Sequence, residues 1–192
     1  MGRWEPDARG RLERAALELF AEQGFAATTV PQITARAGLT TRTFFRHFAD
    51  KREVLYAGDE IPELARRLLA EAPPGLDPVH LLEQGLRRVA AERFDGRRDE
   101  VARRRELVRG EPSLQERDAQ KRADLVRVIG PGLQARGVDP TTAALLAELT
   151  VVVLHVSLDA WLDAPSEQPL GDVVASCFAR LRAVLPPSSP VF

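Results

Sequence analysis

Residues Thr29–Lys51 read TVPQITARAGLTTRTFFRHFADK, and this stretch decides the fold. Thr29 and Gln32 have the Ser/Thr-x-x-Glu/Gln spacing of a capping box, which predicts a helix starting at Thr29. Pro31 falls in its first turn, where a missing N–H has no intrahelical partner to lose. Ile33 and Ala37 continue one apolar face, and Gly38 supplies the left-handed residue that stops the helix. Leu39 then points inward and Thr40 caps a second helix, running to about His47. Phe44 and Phe48, four apart, share its buried face. Thr41, Arg42, Thr43, Phe45, Arg46 and His47 are left on its other faces. Asp50 caps a further helix, with Glu53 completing a similar box. Two short helices joined by a glycine turn, with donors at the start of the second, make a helix-turn-helix.

Upstream, Arg11–Gln23 follows a helical period, with Leu12, Ala16, Leu19 and Phe20 on one face and Gly24 at its end. The three helices form a head whose expected core is Leu12, Leu19, Phe20, Val30, Ile33, Leu39, Phe44 and Phe48. Residues 1–9 are polar, with Arg3 and Arg9 as solvated surface. Charge divides in the same place: residues 1–52 carry a net +3 and the remainder −4, within a chain total of −1. A basic amino-terminal part on an acidic remainder fits a nucleic-acid-binding head on a body of other purpose.

Phe20-Ala21-Glu22-Gln23-Gly24-Phe25, then Thr28-Thr29-Val30, Ala37-Gly38-Leu39, Phe45-Arg46-His47-Phe48 and Lys51 resemble the amino-terminal DNA-binding domain of TetR-type transcriptional regulators. The resemblance covers the first quarter to third of the chain. It implies base contacts from Thr41 and Arg42, with Thr29, Thr43, Phe45, His47 and Lys51 along phosphates. Gln32 and Arg46 complete the expected set. Thr29 also has a physical case, because a helix amino terminus offers free N–H groups to an anion. Arg42 stands where the family usually has glycine, adding a donor able to bind guanine O6 and N7 together. Phe45 replaces a tyrosine and loses its hydroxyl, and Pro31 offers no donor at a site that contacts bases in some members.

The rest of the chain reads as helical too, giving an all-α protein of about nine helices. The expected divisions are a DNA-binding head over 1–52, a helical effector-binding and dimerisation body over 53–187, and a disordered tail over 188–192. A kinked connecting helix is expected over Lys51–Glu71, broken near Gly58 and Pro62. Asp77-Pro78 opens a helix to about Phe94, and Gly96–Val108 is short and very basic. Ser113 and Glu116 open a helix that Gly130-Pro131-Gly132 must bend or interrupt. Asp139-Pro140 opens a long helix to about Asp163, and Pro169 opens a last one ended by Pro186-Pro187.

The long helix is apolar on nearly every side, which demands cover on every side. A twofold partner is the economical solution, with Leu149, Val152, Val153, Val156, Val174, Phe178 and Leu181 as interface residues. In TetR-type proteins the last two long helices form a four-helix dimer interface, and the resemblance implies the same here. Such a dimer reads near-palindromic double-stranded DNA. Leu81, Leu86, Val89, Val108, Leu125, Val128, His155 and Trp161 are the expected lining of an effector pocket between helices. Val101–Leu162 loosely resembles the carboxy-terminal domain of mycofactocin-system regulators, which implies a hydrophobic or acyl-CoA-like small-molecule effector.

Other chemistry has little support in the residues. His155 with Asp159 and His80 with Glu83 have helical spacings that suit a metal or acid–base pair. No third ligand, HExxH, cysteine pair, glycine-rich phosphate loop or GxSxG accompanies them. A protein without catalysis, metal or cofactor is therefore expected. The single cysteine, Cys177, excludes an internal disulfide and suits a reducing cytoplasm. MGRWEPDARGR has no apolar run of the signal-peptide kind. The apolar run Val151–Leu154 is short for a membrane span, so no membrane association is expected.

Overall fold

A computed structural model describes residues 7–56, 60–165 and 168–184. Nine α-helices and one 3-10 helix account for the regular structure among them. The readings of Arg3, Gly58, Pro186-Pro187 and the tail 188–192 fall outside the described residues. The chain divides into two compact units. One comprises Met1–Asp59 with Arg103–Asp118, the other Glu60–Ala102 with Ala119–Phe192.

The first unit holds α1 (Ala8–Gln23), α2 (Val30–Ala37), α3 (Thr41–His47) and the 3-10 helix Lys51–Tyr56. Its core is built of Leu12, Leu19, Phe20, Phe25, Ile33, Phe44 and Phe48, all buried. Phe44 is central, with its ring 5.4 Å from both Phe45 and Phe48. The sequence boundary at residue 52 places too little in this unit. Val54, Leu55 and Tyr56 are buried in the same core, and so is Leu114 from far along the chain. Tyr56 Oη donates to the Leu114 carbonyl at 3.3 Å, Arg104 stacks 4.4 Å over the Tyr56 ring, and Arg117 pairs with Glu53. That last pair also takes the Glu53 carboxylate expected to complete a capping box. Asp50 does cap the 3-10 helix, accepting from Arg52 N at 2.7 Å and Glu53 N at 3.3 Å.

The second unit is made by α4 (Ile61–Glu71), α5 (Pro78–Arg93), α8 (Pro140–Asp163) and α9 (Leu170–Val184), with parts of α6 (Arg98–Gly110) and α7 (Pro112–Gln134). The aspartate–proline starts behave as read. Asp77 Oδ1 accepts from His80 N at 2.8 Å, and Asp139 Oδ1 accepts from Thr141 N and Thr142 N at 3.1 Å each. Two expectations fail here. Lys51–Glu71 is not one kinked helix, because Pro62 lies in the first turn of α4, where proline starts a helix rather than bending one. α7 runs through Pro131 as a single element to Gln134. Pro131 has no N–H for the Arg127 carbonyl one turn before it, and the bare Gly132 lets Leu69 pack against the helix.

α8 is apolar enough that composition and length alone would let it cross a bilayer, with a mean hydropathy of 1.8 over its most apolar window. Scanning for unbroken apolar runs misses this, since Glu148, Thr150, His155 and Ser157 interrupt the run. Ala143, Ala147, Thr150, Leu154, Ser157 and Trp161 form the face that is buried in the core with α5 and α9. A separate row stays bare: Leu145 is 67% exposed, Val152 55% and Val156 52%, with Leu149 half-buried between them. Val153, Val174 and Phe178 were expected at an intersubunit surface, but each is enclosed by its own chain. Leu181 is half-buried. Period 3.6 separates Val152 and Val156 from Val153, which a count of apolar residues cannot do.

Candidate nucleic-acid interface

The outer face of α3 depends on what fixes its inner face. Thr40 caps it, accepting from Thr43 N at 3.1 Å, while its hydroxyl also meets the Thr43 hydroxyl at 3.0 Å. Phe44 and Phe48 anchor it in the core. The turn before it is closed by Gly38 at φ 65°, a conformation in which a side chain is strained, and a Cβ there would lie 2.9 Å from Arg11 Nη2. Arg11 Nη2 donates to the Ala37 carbonyl at 2.5 Å, satisfying the end of α2. Leu39 N donates to Thr34 O at 2.8 Å and completes the stop.

With that face fixed, Thr41, Arg42, Phe45 and Arg46 are exposed together. Arg42 and Arg46 make no ion pair among the described residues, in a unit where Arg36 is held by Glu18 and Glu22 and Arg9 by Glu13. Two free guanidiniums one turn apart form a cationic edge with ten N–H donors and no competing carboxylate. Phe45 is 59% exposed and keeps its ring edge-on to Phe44. His47 is half-buried, with Nε2 enclosed and unpartnered among the described residues.

At the start of α2, Thr29 and Gln32 form the reciprocal box. Thr29 N donates to Gln32 Oε1 at 2.8 Å, and Gln32 N donates to Thr29 Oγ1 at 3.4 Å. The Thr29 hydroxyl also reaches Gln32 Oε1 at 2.9 Å, as does Gln23 Nε2 at 3.3 Å. Thr29 and Gln32 therefore spend most of their polar capacity on the turn, and the Gln32 amide nitrogen is what remains to offer outward.

Lys51 departs from expectation. Its Nζ donates to Phe25 O at 2.7 Å, Thr28 O at 2.8 Å and Ala26 O at 3.4 Å, and sits 4.2 Å from the centre of the Phe25 ring. Three ammonium hydrogens meet three carbonyls of the α1–α2 turn, so no donor is left for a phosphate. Burial lowers its ionisation from the usual lysine range, with Glu111 acting the other way. Lys51 is a staple of the head. Its spacing in the motif could not reveal this, because its partners lie 23 to 26 residues upstream.

The other expected sites scatter. An apolar cavity of about 420 Å³, counting the part open to solvent, lies in the second unit. Leu81, Leu86, Val89 and Leu125 line it as expected, joined by residues of α4 and by Gly85, Ile129 and Thr150. Val108 packs in the core of the first unit, and Val128 is not on the wall. His155 and Trp161 are absent from the wall as well: His155 Nδ1 lies 2.7 Å from Val151 O, and Trp161 Nε1 donates to Gln168 O at 2.9 Å. The His80–Glu83 pair is engaged elsewhere. His80 Nε2 lies 2.7 Å from Gln84 Nε2, and Glu83 pairs with Arg182 at 2.5 Å. Among the described residues no three His, Cys, Asp or Glu side chains come together as metal ligands. Gly85 was legible as a glycine inside a helical run, but nothing local says which helices close around it.

Known proteins place the same arrangement. Residues 13–57 match the family described as bacterial regulatory proteins, tetR family. The HTH-type transcriptional regulator TcmR of Streptomyces glaucescens is 42% identical over 89 residues, which is 46% of this chain and 39% of TcmR. The likeness to curated relatives thus spans well under half of their length. Whole-chain similarity comes from solved structures. The triclosan complex of SmeT, a repressor from Stenotrophomonas maltophilia, aligns at TM-score 0.64 and 21% identity over 92% of this chain and 90% of that one. Thermus thermophilus FadR, solved with lauroyl-CoA, aligns at TM-score 0.55 and 25% identity over 96% and 98%. A tetR-type match on the residues that fix α3, together with a shared all-helical fold beyond them, carries one conclusion: residues 13–57 of this chain are similar to the tetR family of bacterial regulatory proteins, and the chain as a whole shares the helical fold of these solved structures.

Proposed function

We propose that this chain is a homodimeric, sequence-specific DNA-binding regulator of the cytoplasm, a repressor that a small-molecule ligand releases from its operator. The observation that carries the reading is the unpaired Arg42–Arg46 edge on a helix locked from behind. Thr41 and Arg42 read base edges, while Arg46, Thr43 and the Gln32 amide follow the phosphates. His47 contributes through Nδ1, and Phe45 packs on the sugar–phosphate chain. The bare row Leu145, Leu149, Val152 and Val156 is covered by its twofold copy. That pairing sets two recognition helices about 34–36 Å apart, or a multiple of it, on a near-palindromic site.

Ligand release follows from the cavity. α4 supplies Ile61, Ala65, Leu68 and Leu69 to its wall and comes directly after the 3-10 helix of the head in sequence. A ligand that binds better when α4 has shifted favours the state with altered spacing of the heads, by no more than its difference in affinity. The ligand complexes of SmeT and FadR support a body of this fold as a ligand receptor.

A mobility-shift assay on the DNA upstream of the chain's own gene tests the reading. Retardation is expected to weaken steeply with salt and to vanish in Arg42→Ala plus Arg46→Ala, with the melting temperature unchanged. Retention of binding by that double variant sinks it. For the dimer, Val152→Asp plus Val156→Asp should sediment as a monomer.

A further inference from the structure

Resting on that reading of the body as a ligand receptor, we infer that the cavity takes an uncharged apolar molecule seated against the bare backbone at Gly85, with at most one hydrogen-bond donor aimed at Thr150. Gly85 stands eight residues into the sixteen-residue α5, where glycine weakens a helix relative to alanine and no positive φ demands it. A Cβ built there meets nothing within 4 Å, so the omitted side chain leaves space and relieves no clash. That space belongs to the cavity, which Gly85 lines beside Leu81, Leu82, Leu86 and Val89. A helix that gives up stability to keep one wall bare has made room for something flat or branched to lie against it.

The lining sets the charge of the occupant. Every other lining side chain is aliphatic except that of Thr150, and none is ionisable. The Thr150 hydroxyl donates to Leu146 O at 2.6 Å, so toward the cavity Oγ1 can only accept. A ligand hydroxyl or N–H meets a partner there. A carboxylate, sulfonate or phosphate meets lone pairs and hydrocarbon, and burying it unpaired is prohibitive. An acyl-CoA headgroup therefore has no place inside this cavity, and the anionic end of such a molecule would have to stay in water.

Two dyes sharing one fluorophore separate these claims. N-phenyl-1-naphthylamine is neutral with a single N–H; 1-anilinonaphthalene-8-sulfonate is the same ring system carrying a sulfonate. Titrated into the full chain, the neutral dye should bind at least tenfold tighter than the anionic one. Gly85→Leu should weaken the neutral dye at least tenfold, and Thr150→Val about threefold. Gly85→Ala serves as the folding control, since it should raise the melting temperature while weakening the dye less than Gly85→Leu. Equal affinity for the two dyes, or neutral-dye binding untouched by a folded Gly85→Leu, overturns the assignment. The upstream-DNA assay keeps the two readings apart. Dye binding lost in Gly85→Leu by a chain that never retards DNA leaves the cavity standing and removes the regulator. Retardation by a chain that ignores both dyes does the reverse.

Discussion

The two units solve the same problem, satisfying helix ends and filling a core, on different scales of sequence separation. In the head, most caps and stops are made within two to five residues: Thr29 with Gln32, Thr40 with Thr43, Asp50 with Arg52 and Glu53, and Gly38 at its turn, with Arg11 on Ala37 O and Lys51 on the α1–α2 turn as the long-range exceptions. Its core is small and rich in aromatic rings. In the body, aspartates start α5 and α8 locally, but distant arginines close the carboxy-terminal ends of α4 and α8. Arg136 donates to Leu69 O and Ala72 O at 3.1 and 3.0 Å, and Arg98 donates to Trp161 O and Leu162 O at 3.0 and 3.3 Å. There the core is aliphatic and keeps a cavity and a bare row. The contrast teaches that the head fixes one surface through mostly short-range bonds, while the body leaves a cavity and a bare row in its packing.

The largest expected effect comes from opening a void in each unit. Phe44→Ala removes the ring on which Phe45 and Phe48 both pack, and should destabilise the head by about 3–5 kcal/mol. Leu86→Ala, beside a cavity already present, should fall at the low end of the 2–5 kcal/mol range for such truncations, since its neighbours lose fewer contacts. Urea unfolding measures both. Equal losses would mean that the body is packed as tightly as the head and that the contrast is false.

Lys51 comes next and sharpens the comparison from the head's side. Replacing it by methionine keeps the stem over Phe25 but strips donors from three carbonyls, an expected loss of about 2–3 kcal/mol. Its effect on DNA should come through folding alone. At a temperature where the variant is folded, the salt slope of binding should match that of the wild type. Arg46→Ala should do the opposite, lowering the slope by about 0.9 with stability unchanged. A reduced slope in Lys51→Met would return Lys51 to the phosphate backbone.

These assignments also show why the head was legible in the sequence and the body only in outline. The Thr29–Gln32 box, the αL glycine and the i, i+4 phenylalanines are local rules, and each appears where the spacing puts it, whereas Glu53 pairs with Arg117 and α7 begins ahead of Ser113 instead of being capped by it. Aspartate–proline starts carried the same clarity into α5 and α8. What failed was mostly long-range. Lys51 finds carbonyls 23 to 26 residues away, Leu114 joins a core nearly sixty residues upstream, and Val108 packs in the head rather than at the cavity. Apolar composition identified α8 as a helix needing cover on all sides. Only the packing of α5 and α9 tells Val153 and Phe178, covered from within, from Val152 and Val156, left bare. Proline was misread at 62, because in the first turn it starts a helix instead of bending one, while at 131 it does not interrupt α7.

Smaller still are the caps. Thr29→Ala should cost about 1 kcal/mol, because Gln32 loses its reciprocal partner while Gln23 Nε2 still reaches Gln32 Oε1. Thermal melts of the full chain measure it, and a loss above 2 kcal/mol would show that the box carries the whole turn.

Smallest are the titrations of the two aspartate caps, which differ in one respect that separates the units. Asp139 is held below its ordinary value of 3.8 by the Thr142 hydroxyl and the N–H groups of Thr142 and Thr141, with no cation among the causes. Asp50 is pushed up by burial and then carried below 3.8 by the Arg52 guanidinium and the N–H groups of Arg52 and Glu53. A carboxyl depressed in the folded state favours folding above its ordinary range, and that contribution disappears as pH falls through the folded value. Both caps should therefore weaken only below about pH 4. High salt should raise the Asp50 titration toward the ordinary value, because a guanidinium is screened, and should move Asp139 far less, because amide dipoles at contact are not. Carboxyl carbon shifts followed by NMR in 0.05 and 0.5 M salt read both at once. Equal movement of the two would mean that Asp139 answers to a charge as Asp50 does, and that the head and body close their helix ends by the same electrostatics.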